Sequence, residues 1–172
     1  MARTDWLDER VREFTALRGR TVRTWSGVEM AFFEDPPRFT DPRAPFLQLT
    51  SLDATLDGEV LSIVTYQDDD VWGLWTQPLG PGFSGGIHRE RHLPELPAGR
   101  IDDVTVHLEH GVVAEVLLHV GSRPLLLLAG EVYEDWGGNL YFCRLDESVL
   151  AFTDPAAAAT IPWRGDQRPE TV

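Results

Sequence analysis

The sequence predicts an α+β fold, a mostly antiparallel, meandering β-sheet of about six to eight strands with an N-terminal helix packed on one face. Three observations predict it. Leu7, Val11 and Phe14 recur at helical spacing within residues 4–18, with Leu17 close to the same side. Residues 46–76 and 101–145 carry short apolar runs and apolar–polar alternation, punctuated by turn signals. The chain has 172 residues, 42% of them hydrophobic, which suits one domain with its own core and excludes a disordered chain.

The helix is predicted from Thr4 to Arg18. Thr4 can accept from the free N–H groups of the first turn. Asp5 and Asp8 favour the positive end of the helix dipole, Arg18 the negative end, and Gly19 is a natural stop. Thr21–Trp25 follows as a β-branched, aromatic strand. The stretch from Asp35 to Pro45 is predicted as loop, because Pro36, Pro37, Pro42 and Pro45 each lack a backbone donor.

Phe46–Leu56 extends into Asp57-Gly58, a hairpin signal, since a type I′ turn needs φ > 0 at both central residues. Glu59–Tyr66 returns, Gln67–Asp70 turns, and Val71–Thr76 makes a third antiparallel strand. Gln77–Gly99, rich in glycine and proline, is predicted as a long loop, either a flap or a linker between subdomains.

A second strand series starts near Ile101. Val104, Val106 and Leu108 share one face, and Asp103, Thr105 and His107 share the other. After a turn at Glu109–Gly111, Val112, Ala114, Val116, Leu118 and Val120 lie together. Pro124 opens the next strand, Leu125–Glu134. Its Leu125–Leu128 run is apolar on both faces, as in a central strand covered by a helix, although a buried helix has the same signature. Asp135–Asn139 turns, Leu140–Leu145 returns, and Ser148–Phe152 adds an edge. Asp154 before Pro155 caps a short helix through Ala159. Residues 1–160 are thus expected to form one domain, with a subdivision near 77–99 as the alternative. Residues 161–172 form a tail in which Trp163 docks.

Fifteen Lys+Arg against 28 Asp+Glu leave a net charge of −13, and every basic residue of that fifteen is arginine. Such a field repels a phosphate backbone, so no direct nucleic-acid partner is expected. His88, Arg89, Arg91 and His92 form the one dense basic patch. No secretory or membrane-spanning apolar run is present, so the cytoplasm is the expected compartment, with no membrane partner. The single Cys143 excludes an internal disulfide and a multi-cysteine metal site, and a strand cysteine reads as a small buried hydrophobe. Without lysine, Schiff-base chemistry is excluded. The glycine run at 80–86 matches neither the P-loop nor the dinucleotide fingerprint, and no cofactor is implied.

Few constellations could carry chemistry. His88 and His92, four apart, would share a helix face and are the candidate metal ligands. His107 and His119, with Glu115 to orient the latter, are the candidate catalytic groups. Asp68, Asp69 and Asp70 diverge from a turn and lack the calcium-loop spacing. The six tryptophans stand out. Trp72 and Trp75 cannot share one strand face, and Trp136 lies in an acidic turn.

The leading expectation is a non-catalytic, immunity- or inhibitor-like protein. It would meet a basic protein partner through Asp68, Asp69, Asp70, Trp72, Glu134, Asp135 and Trp136, combining charge complementarity with aromatic anchors. The alternatives are a small-molecule site or enzyme with a histidine/carboxylate pocket between sheet and helix, and a structural module that self-associates as a homodimer.

Overall fold

The computed structural model describes residues 3–79 and 82–164. The first helix, α1 (Arg3–Thr15), stops short of the predicted Arg18. Beyond it the chain tightens, with Leu17 N–H donating to Phe14 O and Arg18 N–H to Thr15 O. Gly19 then turns it at φ +86°. Leu7, Val11, Phe14 and Leu17 all face the core.

The next run is β1 (Thr21–Val22) and β2 (Thr24–Met30), broken only at Arg23. A small ribbon, β3 (Phe33–Glu34) with β4 (Pro37–Arg38), forms inside the segment predicted as loop. The predicted antiparallel trio follows as β5 (Leu47–Leu56), β6 (Glu59–Asp68) and β7 (Val71–Pro78). The predicted loop at 77–99 needs correction, because it contains β8 (His88–His92), paired with β2. The sequence His-Arg-Glu-Arg-His has no apolar residue, so hydrophobic alternation could not reveal the strand; its backbone makes the pairing. Gly80 and Pro81 lie outside the described residues.

The second series comprises β9 (Gly99–Glu109), β10 (Val112–Val120), β11 (Arg123–Glu134), β12 (Leu140–Arg144) and β13 (Ser148–Phe152). It ends in α2 (Pro155–Ala158), whose N-cap Asp154 accepts from the Ala156 N–H. Of the predicted tail, Ile161 is buried and Trp163 packs edge-on to Phe142 and Phe152. Residues 165–172 lie outside the described residues.

Among the described residues one sheet holds eleven strands, more than the six to eight expected. The surplus comes from short segments that carry little periodic signal. Hydrogen-bonded neighbours run β1-β9-β10-β11-β13-β5-β2-β8. Because β1 and β2 are one run of chain, this path returns on itself, and the ring β1/β2, β5, β13, β11, β10, β9 closes as a barrel. Arg23 N–H donates to Thr55 O along the side facing β5, and along the side facing β9 Gly19 N–H donates to Ile101 O and Ile101 N–H to Arg20 O. Closure removes the open edges of the ring strands, while β7, β8 and β12 each pair with one strand only among the described residues.

The barrel interior is filled by residues such as Leu52, Val116, Leu118, Leu127 and Val149. The β6–β7 hairpin leaves the ring along the second half of β5 and crosses over β10. There Val71 packs with Val112 and Leu145, and a Cβ on Gly73 would lie 2.6 Å from the Val112 Cβ. Helix α1 contacts β7, β9 and β10.

A second core covers the outer face of β11 and β13. Leu126, Leu128, Leu150 and Phe152 meet Phe32, Phe46 and Phe142 there. This explains the Leu125–Leu128 run: Leu125 and Leu127 enter the barrel, while Leu126 and Leu128 enter the second core. The cover is the 31–46 segment with α2 and Trp163, not the N-terminal helix. Strand β13, expected at an edge, is interior; it pairs with β11 and β5, and all five of its residues are buried.

Candidate partner-binding surface

The turn at 135–139, between β11 and β12, is built around one carboxylate. Asp135 Oδ1 accepts from the Gly137 N–H at 2.8 Å and the Asn139 N–H at 2.9 Å. Its Oδ2 accepts from Asn139 Nδ2 at 3.0 Å and the Tyr141 hydroxyl at 3.2 Å. These donors, Asn139 foremost, hold the Asp135 carboxyl below the usual aspartate range. On this mount Trp136 is fully exposed, at 103% of its reference area, with exposed Glu134 two residues before it. A large indole held in water on a rigid turn is pre-organised for contact.

The other acidic bend is elsewhere. Asp69 and Asp70 are exposed between β6 and β7, with Asp68 half-buried, and Gln67 Nε2 donates to Asp69 O at 3.0 Å. Trp72 is half-buried. Its backbone N–H donates to Leu145 O, and its indole N–H is buried without an acceptor. Leu145 follows β12 at the end opposite the Trp136 turn, and five residues of strand span about 17 Å. Trp72 and Trp136 are therefore not exposed together, whereas Glu134, Asp135 and Trp136 are contiguous.

The histidines do not converge. A bulge between Val113 and Glu115 brings His107 opposite Glu115, one residue beyond the position that regular pairing predicts. His119 stands opposite Asp103, four residues along β10 from Glu115, or about 13 Å. Glu115 is bound instead by Arg144 at 2.7 Å, which also holds Glu109 at 3.0 Å. His88 and His92 belong to a strand rather than a helix and are also about 13 Å apart along it, too far to share an ion. Among the described residues no group of three or more His, Cys, Asp or Glu could hold a metal ion. Cys143 is buried.

One polar row crosses five strands: His92, Ser26, Asp53, Ser62 and Gln77 are successive register partners. Asp53 is 6% exposed and accepts from Ser62 Oγ at 2.5 Å. Burial pushes its carboxyl up, against the Ser62 hydrogen bond, and the charge of Glu90 adds to the rise. Serine stands between histidine and aspartate in this row, so the order needed for a Ser-His-Asp relay is not formed.

A cleft that sequence reading did not anticipate opens at the barrel mouth, where β5 and β13 part beyond the Leu47–Ala151 pair. Its volume is about 460 Å³. Phe32, Phe39 and Phe46 form much of its wall, and its two ionisable lining residues are Asp41 and Glu95. Arg43 grips Asp41 through Nε and Nη2, both at 2.9 Å, and holds that carboxyl below its usual range. Burial is the largest influence on the Glu95 carboxyl and would raise it, but the hydrogen bond from Arg91 at 2.5 Å, that of its own backbone N–H and the charges of Arg91 and Arg89 together lower it. Behind Glu95, the 2%-exposed Glu29 is shared by Arg89 and Arg91. The Arg89 guanidinium also stacks on Phe39, 4.1 Å from its centroid. Arg43 Nη2 reaches Gly138 O at 3.4 Å, which joins the cleft wall to the Trp136 turn. The prolines marked this segment as loop; the residues that complete the cleft, Glu95, Leu96, Ala151 and Thr153, lie about 50 or more residues further along the sequence, so no local pattern showed it.

No family model, curated protein or solved structure matches the chain.

Proposed function

We propose that this is a non-catalytic binding protein that presents Trp136, with Glu134 and Asp135, to a basic protein partner, as an immunity protein or inhibitor would. The observation that carries the reading is the fully exposed indole on a turn fixed by four hydrogen bonds to one carboxylate. Leaving a tryptophan in water gains nothing for the fold, while tryptophan is among the residues that dominate binding energy at interfaces. A rigid mount lowers the ordering cost of association. The −13 net charge steers a basic partner toward the encounter and discourages acidic competitors. Asp68, Asp69 and Asp70 contribute to that field from their own bend and are not part of the anchor.

The test is affinity capture from the native host at low salt, with wild-type and Trp136→Ala baits in parallel. A basic protein retained by the wild type and lost by the variant is expected, with an association rate that falls as salt rises. The same captured set on both baits, or a salt-independent rate, would count against the reading.

A further inference from the structure

We infer that the cleft beside the Trp136 turn is a receptor for an arginine side chain. This rests on the proposed binding function, in which the arginine belongs to the basic partner. The cleft offers aromatic faces and two carboxylates, and among the described residues its lining contains no basic side chain. Both carboxyls are held below their usual ranges, so both are ionised at neutral pH. Their own arginines fix them in place without exhausting them. A carboxylate has about four acceptor sites, and Arg43 fills three on Asp41.

The same segment already binds guanidinium groups in this way. Arg38 lies 3.8 Å from the Phe33 centroid and Arg89 lies 4.1 Å from that of Phe39. Arg43 adds a carboxylate-bound case at Asp41. An incoming arginine would lay its apolar stem along the phenyl rings and direct its planar fork to Asp41 and Glu95. Lysine would lack both the stacking and the bidentate geometry. The Arg43–Gly138 contact places this receptor next to the indole anchor, so one partner surface can engage both.

The test uses the full ¹⁵N-labelled chain and two synthetic probes. One is the peptide acetyl-Gly-Ser-Gly-Arg-Gly-Ser-Gly amide; the other replaces arginine by citrulline, which keeps the shape and removes the charge. Saturable amide shifts are expected at Thr40, Ala44, Glu95 and Thr153 with the arginine peptide, and at least tenfold weaker binding with citrulline. Thr153→Trp, which fills the cleft from an exposed position, and Glu95→Gln should each weaken the arginine peptide at least fivefold. Equal affinity for citrulline, absence of saturable shifts at the cleft, or shifts that survive Thr153→Trp would overturn the assignment. If the peptide leaves the cleft untouched while Trp136→Ala still abolishes partner capture, the arginine receptor fails and the binding function stands. If the peptide fills the cleft and Trp136→Ala changes no capture, the proposed anchor fails instead.

Discussion

Asp135 holds Asn139 twice, accepting from its backbone N–H at 2.9 Å and from its side-chain amide at 3.0 Å. That double grip closes the turn beneath Trp136 and separates two effects that are often confounded. Trp136→Ala removes a side chain that touches nothing in the fold, so stability should change by less than about 0.5 kcal/mol in urea unfolding. Asp135→Ala keeps the indole but frees its mount, and amide exchange at Gly137 and Asn139 should quicken at least tenfold. Both variants should lose partner affinity. Because the Asp135 carboxyl is depressed, the turn's added stability is present above the unfolded aspartate range and is lost only as pH falls through the lower folded value. Protection of these two amides should therefore persist through pH 4.

Asp53 has the opposite sign. Its carboxyl is raised in the folded chain, so folding favours the proton and the wild type loses stability as pH rises from the unfolded aspartate range through the folded value. Asn in its place can still accept from Ser62. The stability of Asp53→Asn relative to wild type should therefore increase between pH 3.5 and 7, measured by urea midpoints. A constant difference would show that the buried carboxyl is fully compensated.

Gly73 marks the crossing of β7 over β10. A methyl group there would meet the Val112 Cβ at 2.6 Å and the Tyr66 ring at 3.1 Å. Gly73→Ala should cost about 1–3 kcal/mol, the usual penalty of overpacking. The Trp72 amide, which donates to Leu145 O, should lose exchange protection before the β10–β11 pairs do.

Glu29 neutralises two guanidiniums from inside the barrel mouth. Glu29→Ala should destabilise by about 3 kcal/mol, the lower end for a broken buried pair, because Arg89 and Arg91 keep partial access to water. Glu29→Gln should cost less, since it retains an acceptor. Thermal unfolding of both variants at low and high salt checks the order.

What the amino-acid sequence determined by itself was local. The alternation along 101–108 and 112–120, the Asp57-Gly58 turn and the Asp154-Pro155 cap each act within a few residues, and strands, turn and helix formed in those segments. Two local details differ: the bulge at Val113/Glu115 puts Val113, not Val112 and Ala114, on the face shared by Val116, Leu118 and Val120, and only Gly58 of the turn has positive φ, so the type I′ geometry is not adopted. The acidic Trp136 turn was legible for the same reason, since Asp135 binds partners no more than six residues away. Tertiary structure alone decided the closure of the sheet, the insertion of β8, the interior place of β13 and the cleft. These depend on pairings such as Thr21 with Arg100 and Ser26 with His92, made by backbone groups that every residue carries. Side-chain periodicity records which face of a strand is buried, but not which distant strand lies beside it. The same limit explains why Trp72 and Trp136, each next to acidic residues in sequence, differ in fate: Leu145 draws the Trp72 backbone into the fold, and nothing covers Trp136.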